Sequence, residues 1–306
     1  IIQGEASGSF GWAFATGDFN ADGKTDLAAG GYTTGLAYVF HNDGSIPTTA
    51  ATADIRVADT ANDIGTALVA GDINTDGRID LVMGDPSSTG KIYFYETREN
   101  FAWQVQPVSG LRTSPNFSGQ EMKITGESGT TGEFGNAFAT GDFNADGKID
   151  LAVGASGYSS STGRAYIFYN DGSLPSGAPS ADVVIQGEAS SSSFGNSLVA
   201  GDFNADGKTD LAVGATGYST STGRVYVFYQ DGSYPAGAGS ADIFITGEGN
   251  EFGTASVAGD FNADGKTDLA VGACSYSICT GRAYIFYQDG SYPTVAASAD
   301  VIIQGE

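Results

Sequence analysis

One nine-residue acidic segment recurs five times in this chain of 306 residues. Every copy carries Asp at positions 1, 5 and 9, Asn at position 3 and Gly at position 6. Oxygen donors on alternate residues can converge on one hard cation, and Gly permits the sharp turn between them. The segments therefore predict five calcium-binding loops in a repeat architecture, at residues 18–26, 72–80, 142–150, 202–210 and 260–268.

Calcium is expected to be bound by the side chains at positions 1, 3, 5 and 9 and by the backbone carbonyl at position 7. The charged side chain at position 7 is expected to point away from the ion. Three carboxylates in one loop repel each other without metal, so folding and calcium binding should be coupled. The predicted ligand residues are Asp18, Asn20, Asp22, Lys24, Asp26, Asp72, Asn74, Asp76, Arg78, Asp80, Asp142, Asn144, Asp146, Lys148, Asp150, Asp202, Asn204, Asp206, Lys208, Asp210, Asp260, Asn262, Asp264, Lys266 and Asp268.

An EF-hand begins with a similar loop, but it needs a bidentate Glu at position 12 and a helix on each side. The flanking segments here have the composition of short strands, and position 9 already closes the site. Position 12 is Ala29, Met83, Val153, Val213 or Val271. The EF-hand interpretation is therefore excluded. Acids that only decorate turns would explain the Asp-Gly pairs but not the fixed spacing of the other donors.

The loops begin 54, 70, 60 and 58 residues apart, which is a period typical of propellers and solenoids. In the fourth repeat, strands are predicted at residues 197–203, 211–215, 224–229 and 242–246, with the acidic loop between the first two. Asp-Gly turn signals and the lack of helical periodicity favour antiparallel strands. The sequence predicts an all-β propeller of five four-stranded blades, each with its calcium loop between the first and second strands.

The whole chain is expected to form one propeller domain. The predicted repeats cover about residues 6–58, 59–127, 128–188, 189–248 and 249–306, and repeat two contains an insertion at 97–120. Residues 1–5 are a surplus copy of the fourth strand. The insertion, which has its own aromatic residues, is predicted either to bind a ligand or to cover a hydrophobic edge.

The repeats resemble the FG-GAP family, which includes the β-propeller of integrin α subunits and many bacterial surface proteins. The acidic loop and the Gly-Ala pair at the end of the second strand carry this resemblance, together with Phe-Gly pairs that begin at Phe10, Phe134, Phe194 and Phe252. The resemblance covers essentially the whole chain and implies a propeller with calcium loops near one rim. Integrin-type propellers carry seven repeats, whereas this chain shows five. Repeat two departs further, because Ile64 replaces Phe and Gly84-Asp85-Pro86 replaces Gly-Ala.

Acidic residues dominate the charge, with 36 Asp and Glu against 13 Lys and Arg and a formal net charge of −23. The chain has no basic patch, so nucleic acid is not expected as a partner. No apolar run approaches the ~20 residues needed to span a bilayer, and no signal peptide is recognised. The chain begins in mid-pattern at Ile1 without a Met, which suggests a mature or excised segment. An extracellular or cell-surface location is expected, because weak calcium sites need millimolar calcium.

Two cysteines, Cys274 and Cys279, lie at the ends of a predicted hairpin loop in repeat five. They are predicted to form a disulfide, which would also require an oxidising compartment; the alternative is two unpaired thiols. One N-glycosylation sequon, at Asn116, lies in the insertion and matters only if the source glycosylates its proteins.

The chain begins and ends with the same five residues, Ile-Ile-Gln-Gly-Glu, so six fourth strands serve five blades. The surplus copy reflects either an arbitrary cut through a longer array or a strand that pairs with the next subunit. The second alternative predicts self-association through residues 1–5 and 301–306, and hence a filament. The Glu of this segment recurs once per blade, as an outer metal ligand or as an acceptor in a turn.

Catalysis finds little support in the sequence. The single His, His41, lies in a turn where repeats three to five have Tyr, and no Ser-His-Asp set can be assembled. The segment from Asp85 to Thr89 is interpreted as a loop. We therefore expect no enzyme activity, and a non-catalytic adhesion or ligand-binding module with a protein or carbohydrate partner. The alternatives are a filament subunit and a lectin, the latter because Tyr158, Tyr218 and Tyr276 recur at matching loop positions.

Overall fold

Five four-stranded antiparallel sheets make up the protein, and the strands of each sheet are arranged in sequence order. The computed structural model describes residues 2–4, 9–32, 35–58, 64–87, 89–95, 123–127, 132–172, 174–249, 251–274 and 280–305. The sheets are the blades of a five-bladed β-propeller, so the predicted all-β fold class is confirmed.

Each blade consists of four consecutive strands. Blade 1 contains β1 (Ser9–Gly17), β2 (Asp26–Tyr32), β3 (Leu36–Phe40) and β4 (Ile55–Ala58). Blade 2 contains β5 (Leu68–Gly71), β6 (Asp80–Asp85), β7 (Lys91–Tyr95) and β8 (Lys123–Thr125). Blade 3 contains β9 (Phe134–Gly141), β10 (Asp150–Ala155), β11 (Arg164–Phe168) and β12 (Val183–Gln186). Blade 4 contains β13 (Phe194–Gly201), β14 (Asp210–Ala215), β15 (Arg224–Phe228) and β16 (Ile243–Thr246). Blade 5 contains β17 (Phe252–Gly259), β18 (Asp268–Ala273), β19 (Arg282–Phe286) and β20 (Val301–Gln304).

The second strand of a blade is the most deeply buried. All six residues of β10 and of β14 are buried, and both strands read Asp-Leu-Ala-Val-Gly-Ala. A strand covered on both faces has a nearly continuous apolar sequence instead of an alternating one. Its register with the first strand, such as Gly201 opposite Asp210, places position 9 of the acidic loop at the start of the second strand.

The hydrophobic core lies between neighbouring blades. Four clusters of buried side chains join blade 1 to 2, 2 to 3, 3 to 4 and 4 to 5. In the last of these, Phe203 and Ile245 of blade 4 pack with Phe252 and Leu269 of blade 5. A fifth cluster consists of blade 1 residues together with Ile2. In the described part of the chain, none of these clusters joins blade 5 to blade 1.

Neighbouring backbones approach most closely at a Gly near the end of each second strand. A Cβ on Gly154 or Gly214 would overlap the carbonyl oxygen of Gly195 or Gly253, the Gly of the Phe-Gly pair in the following blade. Gly30 and Gly84 stand in the same relation to the next blade. The Gly-Ala and Phe-Gly pairs of the repeat are therefore the two sides of one contact between blades.

Both terminal copies of the fourth strand have partners in the chain. β20 pairs with β19 and completes blade 5. Gln3 forms a parallel bridge with Thr49 of blade 1, as Thr246 at the end of blade 4 does with Val295 of blade 5. Residues 2–4 therefore lie on blade 1 where the fourth strand of a preceding blade would end.

Candidate calcium-binding loops

All five acidic loops lie on one rim of the propeller. Each connects the first strand of a blade to the second, and equivalent connections leave the same edge of each antiparallel sheet. The third strand ends at this rim as well, which brings its last residues next to the loop. The connections between the second and third strands lie at the opposite rim.

The loop backbone has the same conformation in all five copies. Position 4 is left-handed although it is not Gly, with φ between 57° and 62° at Ala21, Thr75, Ala145, Ala205 and Ala263. A left-handed residue with a Cβ costs about 1–2 kcal/mol, so other interactions of the loop must hold this conformation. Position 6 is also left-handed, with φ between 82° and 86°, where Gly carries no such cost.

The side chains at positions 1, 3 and 5 accept hydrogen bonds from the backbone of their own loop. In blade 4, Asp202 accepts the N–H groups of Asp206 and Gly207 at 3.0 and 2.9 Å. Asn204 Oδ1 also accepts the N–H of Asp206, and Asp206 Oδ1 accepts the N–H of Lys208, both at 2.9 Å. The same bonds form in the other four loops. These oxygens therefore face the interior of the loop.

The Asp at position 9 links its loop to the third strand. Asp210 is fully buried, and its two carboxylate oxygens accept the N–H groups of Phe203 and Gln230, each at 2.8 Å. Burial raises the pKa of Asp210 to about 6; the two backbone hydrogen bonds oppose this shift, and repulsion from Asp206 and Asp202 adds to it. The carboxylates at positions 1, 5 and 9 are thus close enough to repel one another, which a bound cation would offset.

Asp150 of blade 3 has the same environment. Its oxygens accept the N–H groups of Phe143 and Asn170 at 2.8 Å, and burial raises its pKa to about 6. The acids at positions 5 and 1 of its loop, Asp146 and Asp142, again raise the pKa further. Blades 3 and 4 therefore share this electrostatic arrangement.

The lysine side chains at position 7 make two kinds of contact. Lys148, Lys208 and Lys266 each donate through Nζ to a carbonyl oxygen at the end of the third strand, at 2.9 Å. Lys24 Nζ instead lies 3.3 Å from Asp22 Oδ2, an acid of its own loop. The backbone N–H of Lys24, more than its ammonium group, lowers the pKa of Asp22. Lys148 makes both contacts, since its Nζ also lies 3.7 Å from Asp146 Oδ2.

The donors of each loop fit a hard cation, because they are carboxylate, amide and carbonyl oxygens. Among the described residues, however, no three His, Cys, Asp or Glu side chains are already grouped as a metal site. The acids at positions 1, 5 and 9 accept hydrogen bonds from backbone N–H groups. A carboxylate has about four lone-pair sites, so these bonds leave acceptor capacity for a metal. Calcium binding by the residues at positions 1, 3, 5, 7 and 9 of each loop stays a prediction.

The recurring Glu joins one blade to the next, a role that sequence reasoning did not find. Glu188, just after the fourth strand of blade 3, accepts Arg224 Nη1 at 3.1 Å and the hydroxyl of Tyr226 at 2.9 Å, both from blade 4. The link lies at the rim opposite the acidic loops. Its signal in the sequence is a Glu followed after 34 to 37 residues by Arg-X-Tyr. The equivalent links join Glu127 to Arg164 and Tyr166, and Glu248 to Arg282 and Tyr284.

The tyrosines that favoured a lectin are used in packing. The guanidinium groups of Arg164 and Arg224 lie over the rings of Tyr158 and Tyr218, 3.8 and 3.7 Å from the ring centroids. One face of each ring is therefore covered by a cation and is not a platform for a sugar. Tyr276 lies outside the described residues.

Other predicted sites are only partly described. Cys279, Asn116 and the insertion at 97–120 lie outside the described residues, so the disulfide and the glycosylation stay predictions. Cys274 Sγ lies 3.1 Å from Glu251 Oε2. Asp85 is the last residue of β6 and not part of a loop; it is fully buried and accepts both the backbone N–H and the hydroxyl of Ser87.

Comparison with known families identifies the repeat. The FG-GAP repeat matches residues 134–168, 194–228 and 252–286, and the FG-GAP-like repeat matches residues 18–83. The chain belongs to the FG-GAP repeat family. Each of the three FG-GAP matches runs from the Phe-Gly pair to the end of the third strand.

The FG-GAP chain is similar to parts of larger proteins. It is 40% identical over 154 residues to phosphatidylinositol-glycan-specific phospholipase D of Rattus norvegicus, across 45% of this chain and 18% of the relative. It is 30% identical over 219 residues to integrin alpha pat-2 of Caenorhabditis briggsae, across 67% of this chain and 18% of the relative. The FG-GAP chain thus spans less than one fifth of the length of either relative.

Among solved structures, the Vibrio cholerae biofilm matrix protein Bap1 aligns with 91% of this FG-GAP chain and 38% of its own. The TM-score is 0.39 and the identity is 15%. In the described part of the chain, no helix has the length and apolar character needed to cross a membrane.

Proposed function

We propose that this FG-GAP propeller is a non-catalytic binding module of an extracellular or cell-surface protein, and that its five acidic loops bind calcium. The observation that carries the proposal is the identical inward hydrogen bonding of the side chains at positions 1, 3 and 5 in all five loops. The similarity to integrin alpha chains supports an adhesive or ligand-binding role.

In this proposal, calcium bound to the loops holds one rim of the propeller in a fixed shape. Bound calcium supplies positive charge to three carboxylates that otherwise repel one another. Asp210 holds the start of its loop and the end of the third strand through two N–H groups, so order in the loop extends to the neighbouring turn. We propose that the rim formed by the loops and these turns is the ligand surface, made rigid by the metal.

Two features support a non-catalytic role. The buried acids at position 9 accept hydrogen bonds from backbone N–H groups. The recurring Glu residues accept hydrogen bonds from Arg and Tyr of the next blade. One relative is named a phospholipase D, but its match covers 18% of that protein. Because the rim tyrosines pack against Arg164 and Arg224, an adhesion module is favoured over a lectin.

Calcium titration by calorimetry tests the metal part of the proposal. The wild-type chain should take up five calcium ions, and EGTA should lower its melting temperature. Asp206→Ala should remove one site, because Asp206 is the predicted calcium ligand at position 5 of its loop. Its side chain is exposed. Asp231→Asn, in an exposed turn of the same blade, is the matched control and should keep all five. A chain that takes up no calcium and melts alike in EGTA would contradict the metal assignment.

Binding arrays test the adhesion part separately. The labelled chain is applied, in calcium and in EGTA, to immobilised extracellular matrix proteins and to a glycan array. The proposal predicts calcium-dependent binding to one or more matrix proteins. Binding confined to glycans would overturn it in favour of a lectin.

A further inference from the structure

The acidic loops of neighbouring blades touch one another. The side chain at position 8 of a loop packs against the Gly that ends the first strand of the preceding blade and directly precedes position 1 there. A Cβ on this Gly would lie between 2.5 and 3.1 Å from the side chain at position 8 of the next loop. The pairs are Gly17 and Ile79, Gly71 and Ile149, Gly141 and Thr209, and Gly201 and Thr267. Each of these loops therefore packs against the start of the loop before it.

A tyrosine adds a second contact at two of these junctions. Tyr234, in the connection after the third strand of blade 4, packs its ring on Phe143 at position 2 of the blade 3 loop, with ring centroids 6.5 Å apart. Its hydroxyl donates a hydrogen bond to the carbonyl oxygen of Thr209, at position 8 of the blade 4 loop, at 3.3 Å. Tyr292 joins the loops of blades 4 and 5 with the same two distances. One side chain thus contacts two successive acidic loops.

These contacts connect a predicted calcium ligand of one loop to a predicted ligand of the next. Asp150, at position 9 of the blade 3 loop, accepts the N–H of Phe143 at 2.8 Å. Phe143 is fully buried and packs against the ring of Tyr234. Thr209, which accepts the hydroxyl of Tyr234, directly precedes Asp210 at position 9 of the blade 4 loop. Since every step is a direct contact, a change of order in one loop can reach the ligands of the other.

The junction between blades 2 and 3 lacks this tyrosine. Leu174 holds the place of Tyr234 in blade 3 and packs in the apolar cluster that contains Ile73, position 2 of the blade 2 loop. The carbonyl oxygen of Ile149, at position 8, accepts Asn170 Nδ2 of its own blade instead, at 3.3 Å. The loops of blades 2 and 3 are therefore joined by apolar packing without the hydrogen bond of the tyrosine.

We propose that the acidic loops of blades 3, 4 and 5 bind calcium cooperatively, with Tyr234 and Tyr292 as the coupling residues. A loop that holds calcium keeps the ordered conformation against which its neighbour packs, so the neighbour loses less conformational freedom when it binds in turn. The coupling rests on the calcium binding proposed for these loops and adds that they fill together. The loops of blades 2 and 3 are coupled more weakly, because Leu174 lacks the hydroxyl.

Charge alone predicts an effect of the opposite sign. The blade 3 loop has three Asp and one Lys, so one bound calcium ion makes it formally neutral. Asp146→Ala removes the predicted ligand at position 5 and leaves a loop without calcium that is formally negative. By charge, this variant would attract calcium to the blade 4 loop more strongly than the wild type does. Coupling by contact predicts a weaker blade 4 site.

A calcium titration of the full chain, labelled with ¹⁵N-glycine and followed by NMR, measures the loops separately. The N–H of the Gly at position 6 donates to the Asp at position 1, as Gly207 does to Asp202, so its signal reports its own loop. Asp146→Ala should raise the calcium concentration at the midpoint of the Gly207 signal by about fivefold or more. By linkage, Asp206→Ala should raise the midpoint of the Gly147 signal by the same factor.

The role of the tyrosine is tested by repeating the comparison in two further backgrounds. In Tyr234→Phe, which keeps the ring and loses the hydroxyl, Asp146→Ala should shift the Gly207 midpoint by about twofold or less. Tyr229→Phe is the matched control, because the Tyr229 hydroxyl makes no hydrogen bond to any residue that the structure describes. In that background the full shift should remain.

Calcium binding and its coupling fail in different ways. If no position 6 Gly responds to calcium, the calcium assignment is wrong and the coupling falls with it. If Gly207 responds at the same calcium concentration in the wild type and in Asp146→Ala, or at a lower one, the loops bind calcium without this coupling. A full shift that persists in Tyr234→Phe would overturn the role of the tyrosine.

Melting temperatures in calcium show whether each variant keeps its fold. If Tyr234→Phe does not fold, Thr209→Ser takes its place, because it removes the methyl group that contacts Gly141 and keeps the carbonyl that accepts the tyrosine hydroxyl. In Thr209→Ser, Asp146→Ala should again shift the Gly207 midpoint less than in the wild type, and an unreduced shift would contradict coupling through these contacts.

Discussion

The close approach of neighbouring blades predicts that a Gly→Ala substitution has different effects on stability at two equivalent glycines. Gly214 and Gly272 hold the same place in the second strands of blades 4 and 5, and neither has a positive φ. A Cβ on Gly214 would overlap the carbonyl oxygen of Gly253 and the hydroxyl of Ser197. A Cβ on Gly272 would lie 3.8 Å from the nearest atom of the described residues, in ordinary van der Waals contact. Gly214→Ala should therefore destabilise the chain, and Gly272→Ala should not.

Two energies set the size of the effect. Replacing Gly by Ala reduces the entropy of the unfolded chain and stabilises by about 0.4–1 kcal/mol where the native conformation permits it. Overpacking in a tight interior costs about 1–3 kcal/mol, and the overlap with a backbone oxygen in the next blade gives little room for relief. The unfolded-state contribution is shared by Gly214→Ala and Gly272→Ala. Their difference in unfolding free energy, about 1–3 kcal/mol, therefore measures the overlap alone.

Guanidinium denaturation followed by far-ultraviolet circular dichroism gives this difference. The measurements are made with calcium present throughout. Adding Ser197→Ala to Gly214→Ala removes the hydroxyl but leaves the carbonyl overlap, so stability should not recover. Equal unfolding free energies for Gly214→Ala and Gly272→Ala would refute the argument that backbone contact between blades requires Gly.

Two further substitutions test other parts of the structure. Glu188→Gln should lower the unfolding free energy by about 1–2 kcal/mol in chemical denaturation, because Arg224 loses its charged partner in the preceding blade. Asp231→Asn, at an exposed turn, should change it by less than about 0.5 kcal/mol. Asp202→Ala removes the acceptor for the N–H groups of Asp206 and Gly207, so hydrogen exchange at these two amides should accelerate in calcium while the equivalent amides of blade 3 stay protected. Unchanged exchange at both amides would show that the position 1 carboxylate does not order the loop.

The repeat period and the turn signals were sufficient to predict the blades. Strand pairs such as β13 and β14 follow directly from an apolar run on each side of an acidic loop, and the register is fixed because position 9 begins the second strand. The terminal strand copies were also recognised. The position of residues 2–4 on blade 1 was not predictable, because it depends on a contact between residues 46 positions apart.

Contacts between blades were the main feature that the sequence left undetermined. Glu188 and Arg224 are separated by 36 residues, and no local pattern shows that a Glu after one strand meets an Arg of the next repeat. The loops themselves were recognisable because their donors are close in sequence. The second role of the position 9 Asp was not, since its bond to Gln230 spans 20 residues.

The paired glycines at each junction also bear on how such a chain changes in length over generations. Gly154 and Gly214 both contact the carbonyl oxygen of the Gly in the Phe-Gly pair of the next blade. A repeat that keeps its Gly-Ala pair and its Phe-Gly pair can therefore form this contact with any other such repeat. Duplication or loss of one whole repeat therefore leaves every remaining junction intact.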